Sequence, residues 1–342
     1  MQAKFIKHNL QFKLPSGTSR GVLTSKDSWF LTLNDGVNMG IGECSILKGL
    51  SYDDHQDFEN HLQQLCLAIN MELPLPNLSY WPAIQMGYET AKLGLSSEDS
   101  FNIFSSDFTK GKEGIPINGL VWMGSYDFMT AQINDLLNKG FNCIKIKIGS
   151  IQFDQELDLI AKLRKRFKVS DINIRVDANG AFYHEEALNK LQRLSNYDIH
   201  SIEQPIQVNQ WKEMAYLCKK SPVPIALDEE LIGRFSLIEK QNLLDQIRPQ
   251  YLILKPSLLG GFKNSDQWID LAQGYGINWW ATSALESNVG LNAIAQWVFK
   301  KNINLPQGLG TGSLFKNNIE SPLIIRSGCL RVDNSIPWDK FF

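Results

Sequence analysis

The chain has 342 residues, 43% of them hydrophobic, and its 34 basic and 36 acidic side chains are mixed along its length for a formal charge of −2. That is enough chain for a full barrel or two ordinary domains, and the even charge leaves no basic patch for nucleic acid or a membrane surface. No run is long and apolar enough to span a bilayer, and the N-terminus lacks the apolar core of a signal peptide, so the expected partner is a small molecule.

Residues 1–110 read as α+β. Strand-like stretches from Phe5 to Leu14 and from Trp29 to Leu33 are broken by Pro15-Ser16-Gly17, and Asn34-Asp35-Gly36 is a hairpin signal. Helical periodicity follows over Tyr52–Asn70 and Ser79–Leu95, the second after the Pro-rich stretch Leu73-Pro74-Leu75-Pro76. The cysteines at 44, 66, 143, 218 and 329 are odd in number and lack CxxC spacing, which predicts reduced thiols in a cytoplasm rather than a disulfide framework or a zinc site.

From Pro116 the rhythm changes. Short apolar runs with polar ends alternate with helix-like segments: 116–122, 143–148, 172–177, 201–204, 224–228, 251–255, 278–283 and 307–311. From residue 143 to 251 the runs start 23 to 29 residues apart, the size of a βα unit closing into a barrel. The predicted fold is therefore α/β, a (β/α)7β TIM-like barrel over residues 111–312. An α+β capping domain over 1–110 is completed by the tail, 313–342. The strand-like 323–325 and 329–332 are too short to stand alone and are expected to rejoin that first domain.

Catalytic groups of such a barrel sit at the C-terminal strand ends, so the polar residues closing each run are the candidates. They are Lys145 and Lys147 on the second run, Arg175 and Asp177 on the third, Glu203 on the fourth, Asp228 on the fifth and Lys255 on the sixth. Lys145 and Lys147 share a strand face. Alone, they read equally as a solvated edge or as two ammoniums that lower one another's pKa toward that of a working base. Asp177, Glu203 and Asp228 follow one another at intervals of about 25 residues, one strand apart, and would converge. Each alone reads as a helix cap or salt-bridge partner; three at matching strand ends need a counter-charge. An oxygen-only set suits Mg²⁺, or Mn²⁺ in its place, rather than Zn²⁺.

Arg175 is placed either to hold a substrate carboxylate or to pair with a neighbouring acid. Alternation turns Glu229 away from the side of Asp228 and excludes it as a fourth ligand. Ser257, Thr282 and Ser283 stand at strand ends, where hydroxyls bind substrate oxygens or cap helices.

The segments Lys145-Ile146-Lys147, Ile174 to Gly180, Ile202-Glu203-Gln204-Pro205 and Ala226-Leu227-Asp228-Glu229, with Lys255, resemble the enolase superfamily in its muconate-lactonizing branch. The resemblance covers essentially the whole chain. Gly42 to Ser51 resembles the capping-domain loop, and Ser283 to Gly290 the seventh-strand segment, of the o-succinylbenzoate synthase family. It implies that a cyclohexadiene carboxylate loses its α-proton and then, on the same face, hydroxide, giving the aromatic acid of menaquinone biosynthesis. Asp177, Glu203 and Asp228 would hold Mg²⁺ against the developing enediolate. Lys147 would be the base, Lys145 the fixed charge that keeps it neutral, and Lys255 a cation over the intermediate. Arg175, Asn179, Ser257, Ser283 and Glu286 would contact substrate.

Dipeptide epimerases and N-acylamino acid racemases of the same branch would use Lys147 and Lys255 as two bases on opposite faces. The epimerases' paired acids on the eighth strand have no counterpart in Gly308 to Gly312. A non-enzymatic ligand-binding barrel with a vestigial site is opposed by the intact lysines and acids. A homo-oligomer is compatible with the sequence. Loops near Gly17–Gly21 and Lys48–Asp53 are expected over the pocket.

Overall fold

A computed structural model of the chain describes residues 1–18, 21–97 and 99–339. At the N-terminus β1 (Gln2–Thr18), β2 (Gly21–Asn34) and β3 (Met39–Ser45) pair antiparallel in that order. The hairpin between β2 and β3 is set by Gly36 at φ +93° and by Asp35, whose Oδ1 accepts from Val37 N at 2.9 Å and Asn38 N at 2.7 Å. Helices α1 (Phe58–Asn70) and α2 (Pro82–Leu95) cover one sheet face and bury Leu31, Leu33, Leu62, Leu65 and Ile84 between them. Both start later than the periodicity predicts. Pro82 opens α2 with a ring that needs no N–H partner, and the Asp53 carboxylate accepts from Ala83 N at 2.8 Å, so the stretch before it is spent on the cap.

Strand β4 (Ile115–Pro116) leads into a barrel. Its parallel strands are β5 (Gly119–Val121), β6 (Cys143–Lys147), β7 (Asn173–Asp177), β8 (Ser201–Glu203), β9 (Ile225–Leu227), β10 (Tyr251–Leu254) and β11 (Asn278–Ala281). They neighbour one another in chain order. Between them run α3 (Tyr126–Asn138), α4 (Phe153–Arg166), α5 (His184–Ser195), α6 (Trp211–Lys220), α7 (Leu237–Ile247), the short α8 (Pro256–Leu259) and α9 (Gly261–Gly274), with α10 (Asn288–Lys300) after β11. Outward Ile144, Ile146, Ile174, Val176 and Ile202 are buried under the helices and form the main core.

The eighth predicted strand, 307–311, is no strand. Two parallel bridges, Ile117 with Gln307 and Thr282 with Gly308, close the barrel instead. A Cβ on Gly308 would stand 2.5 Å from Thr282 Oγ1, so only glycine lets the backbone come this near. The tail also departs from expectation. Its strands β12 (Leu323–Arg326) and β13 (Cys329–Val332) pair with each other and with β4, not with the N-terminal sheet. The connecting residues do meet that sheet: Phe315 bridges Phe12, and Lys316 N donates to Gln11 O at 2.8 Å. Among the described residues, no helix is long and apolar enough to cross a membrane.

Candidate active site

The C-terminal ends of β6 to β8 are in register, with Lys147 beside Asp177 and Asp177 beside Glu203. Side chains two residues apart on one strand face the same way, so Lys145, Lys147, Asp177 and Glu203 all enter the barrel mouth. Lys145 Nζ lies 3.0 Å from Asp177 Oδ2 and 2.8 Å from Glu203 Oε2. Lys147 Nζ donates to Asp177 Oδ2 at 3.0 Å and to Asn179 Oδ1 at 2.6 Å. From the opposite wall Lys255 donates to Asp228 and stands 3.9 Å from Glu203 Oε1.

Burial works against the charge on Lys145, but the Asp177 and Glu203 carboxylates outweigh it and hold its pKa above the ordinary lysine value. Lys145 is therefore not a lysine whose pKa is depressed by its neighbour: acids, not Lys147, surround it. Burial likewise opposes the charge on Asp177, yet Lys145 and Lys147 hold its carboxyl well below the usual range. Asp228 goes the other way. Its burial and the crowding by Glu229, Glu203 and Asp177 push it up against the pull of Lys255.

Glu229 is itself a correction. Strand β9 ends at Leu227 and a 3₁₀ turn begins at Glu229, so strand alternation no longer applies, and Glu229 Oε1 accepts from Asn179 Nδ2 at 3.0 Å.

These groups line one part of a cavity of about 1050 Å³ that runs from the first domain past β5 to α3 and the tail hairpin. Lys145, Lys147, Asp177, Asn179, Lys255 and Ser283 line it, while Glu203 and Asp228 lie behind the lysines. Leu47, Lys48 and Leu50 of the first domain close one side. Gly21 lines it as well, whereas residues 19 and 20 of the other expected loop lie outside the described residues. Sequence reading missed Asn118 and Trp122, which flank β5 at its start and its end and line the cavity. Among the described residues, Asn118 Oδ1 and Thr282 Oγ1 are buried behind this wall without a hydrogen-bond partner.

Three expected substrate contacts lie elsewhere. Arg175 sits two residues before Asp177, in register with Lys145 and Ser201, so its side chain starts about 7 Å deeper in the barrel. It stacks 3.8 Å over the Trp280 ring, donates to Pro306 O at 2.7 Å, and meets neither the cavity nor, among the described residues, an acid partner. Ser257 and Glu286 are fully buried beneath the wall, where Ser257 Oγ donates to Glu286 Oε1 at 2.6 Å.

Among the described residues, no group of three His, Cys, Asp or Glu side chains is already drawn around one point, because lysine ammoniums stand between the acids. The donor set nevertheless fits a hard cation. Glu203 Oε1 is buried with no hydrogen-bond partner among the described residues, and the raised Asp228 marks an excess of carboxylate that positive charge would relieve.

A parallel barrel closed under an α+β cap, with lysines on β6 and after β10 facing each other across carboxylates at the ends of β7, β8 and β9, defines an acid–base enzyme of the enolase superfamily, whose members use a divalent metal. Residues 129–336 match the model of the enolase C-terminal domain-like family. The chain is 45% identical to an o-succinylbenzoate synthase of Desulfotalea psychrophila over 97% of its own length and 99% of that protein. The crystal structure of MenC from that organism superposes with a TM-score of 0.88 at 42% identity, covering 97% of this chain and 99% of the other. An N-succinylamino acid racemase from Amycolatopsis is 24% identical over 93% of this chain and 88% of its own. The chain belongs to the enolase superfamily and, within it, to the o-succinylbenzoate synthase family.

Proposed function

We propose that the protein is a hydro-lyase that converts 2-succinyl-6-hydroxy-2,4-cyclohexadiene-1-carboxylate to 2-succinylbenzoate in menaquinone biosynthesis. The single observation that carries this reading is the 45% identity, over nearly all of both chains, to a synthase of that name. The site supports it. Lys147 is the base: it lines the cavity, and Asp177 and Asn179 fix its amine. The same amine returns the proton to the departing hydroxyl on the same face. Lys145, tied to two acids, keeps its proton and serves as fixed charge. Lys255 faces the delocalised anion as a cation. Asp177, Glu203 and Asp228 are the ligands for Mg²⁺, which when bound supplies positive charge to the substrate carboxylate. Asn179 and Ser283 line the cavity within reach of substrate oxygens. The described cysteines are unpaired, four of them buried, which supports a reducing, cytoplasmic setting.

Lysines on opposite walls also suit proton exchange at one carbon, which favours racemisation of N-acylamino acids as the second reading. One experiment tests both: the protein with Mg²⁺ and the cyclohexadiene, followed by absorbance, beside deuterium exchange into N-succinyl amino acids and dipeptides. Fast aromatisation is expected. Turnover of the amino acid derivatives alone would overturn the synthase reading.

A further inference from the structure

The two segments that resemble the synthase family, Gly42 to Ser51 and Ser283 to Gly290, are bonded to each other. Glu43 stands on β3 of the first domain, yet its carboxylate, 2% exposed, enters the junction between β11 and α10. Oε1 accepts from Ser28 Oγ at 2.7 Å and from Ser287 N at 2.9 Å. Oε2 accepts from Ser287 Oγ at 2.6 Å and from Gly290 N at 2.9 Å. Three of these four donors belong to the barrel. The carboxylate therefore caps α10 from another domain, where the free N–H groups and the positive end of the helix dipole favour it. A Cβ on Gly290 would lie 2.9 Å from Glu43 Oε2 and 2.8 Å from the Glu286 side chain, so the junction requires glycine.

The adjoining Glu286 carries the junction to the cavity. Its carboxyl accepts from Ser257 Oγ and Ser283 Oγ, each at 2.6 Å. Ser257 lies two residues beyond Lys255, and Ser283, on the cavity wall, accepts from Thr311 Oγ1 at 2.8 Å. On the other side Glu43 runs directly into Leu47, Lys48 and Leu50, which line the same cavity. One carboxylate thus sits where both walls are anchored.

We propose that Glu43 is a positioning residue for the reaction: it holds the loop at 47–50 in register with the wall built on Ser283, so that the non-reacting end of the substrate is gripped from both domains. Its kinetic readout rests on the synthase reading, and its structural readout does not.

Glu43→Gln keeps the shape and weakens the charge-assisted bonds, and Gly290→Ala displaces the carboxylate from the barrel side. For each, KM for the cyclohexadiene rises about tenfold, the loss of one good hydrogen bond, while kcat stays within about twofold. The double variant is no worse than either single one, because both break one contact. Mg²⁺ affinity by calorimetry is unchanged. Should Gly290→Ala fail to fold, Glu43→Gln alone decides. Lowered stability with an unchanged KM would make Glu43 a helix cap only and overturn the proposal. If the unaltered protein does not turn the cyclohexadiene over, the synthase reading fails, and amide exchange without substrate decides instead. Faster exchange at both 47–50 and 287–291 in Glu43→Gln upholds the latch, whereas faster exchange at 287–291 alone, or unchanged exchange, overturns it.

Discussion

Lys145 and Lys147 project from one strand face and have different surroundings. Lys145 is shared between two carboxylates, whereas Lys147 touches one acid and an amide and opens onto the cavity. The sequence makes the pair visible, because alternation needs only the strand assignment. It hides the neighbours, because these come from the register of β6 with β7 and β8, which no local pattern encodes. Arg175 is misread for the same reason: its type suits an anion, but its depth in the barrel decides its contacts. Loss of the proposed base costs most. Lys147→Ala is expected to lower kcat at least about 10³-fold, and Lys255→Ala comparably, with the circular dichroism spectrum unchanged. Near-normal turnover in Lys147→Ala would remove the mechanism.

At the scale of elements, glycines and one acid set how α2 sits. A Cβ on Gly42 would collide with the carbonyl of Gly87, and one on Gly40 with that of Ala91, so strand β3 and helix α2 touch backbone to backbone. Gly42→Ala must force them apart, at a cost of about 3 kcal/mol in urea denaturation. Asp53, which precedes α1 and bonds the first turn of α2, is buried, and desolvation pushes its carboxyl up to about 7. The unfolded value is near 4. The folded protein therefore holds this proton more tightly, so stability from Asp53 is full below about pH 4 and is lost as pH rises to about 7. Asp53→Asn should flatten that slope and raise stability at pH 8 by up to about 4 kcal/mol, read from denaturation at pH 5 and pH 8. Helix α7 opens on a capping box formed by Ser236 and Glu239. Lys240, fully buried and bonded to Gln267 at 2.7 Å, interrupts its apolar stripe.

For the whole molecule, the barrel period and its cap were legible because each βα unit repeats one pattern, and a polar residue ends most runs. The eighth strand and the docking of the tail were not, since they depend on backbone approach at Gly308 and on an edge left by β4. The site joins residues from five strand ends, so it belongs to the closed barrel and not to any segment. EDTA should abolish turnover and added Mg²⁺ restore it, with an unfolding midpoint that rises with Mg²⁺ concentration. A midpoint indifferent to Mg²⁺ would argue against a cation among Asp177, Glu203 and Asp228.

The closure by Gln307 and Gly308 also fixes an order of assembly. Until these residues leave the ribosome, β5 and β11 are the two open edges of one curled sheet, each with unpaired backbone groups that invite pairing with a neighbouring chain. The nascent chain is thus most vulnerable when its barrel is nearly complete. A chain ending at Leu305 should collect in sedimenting aggregates during synthesis, whereas the full chain, stitched from Gln307 N to Pro116 O at 2.8 Å, stays dispersed.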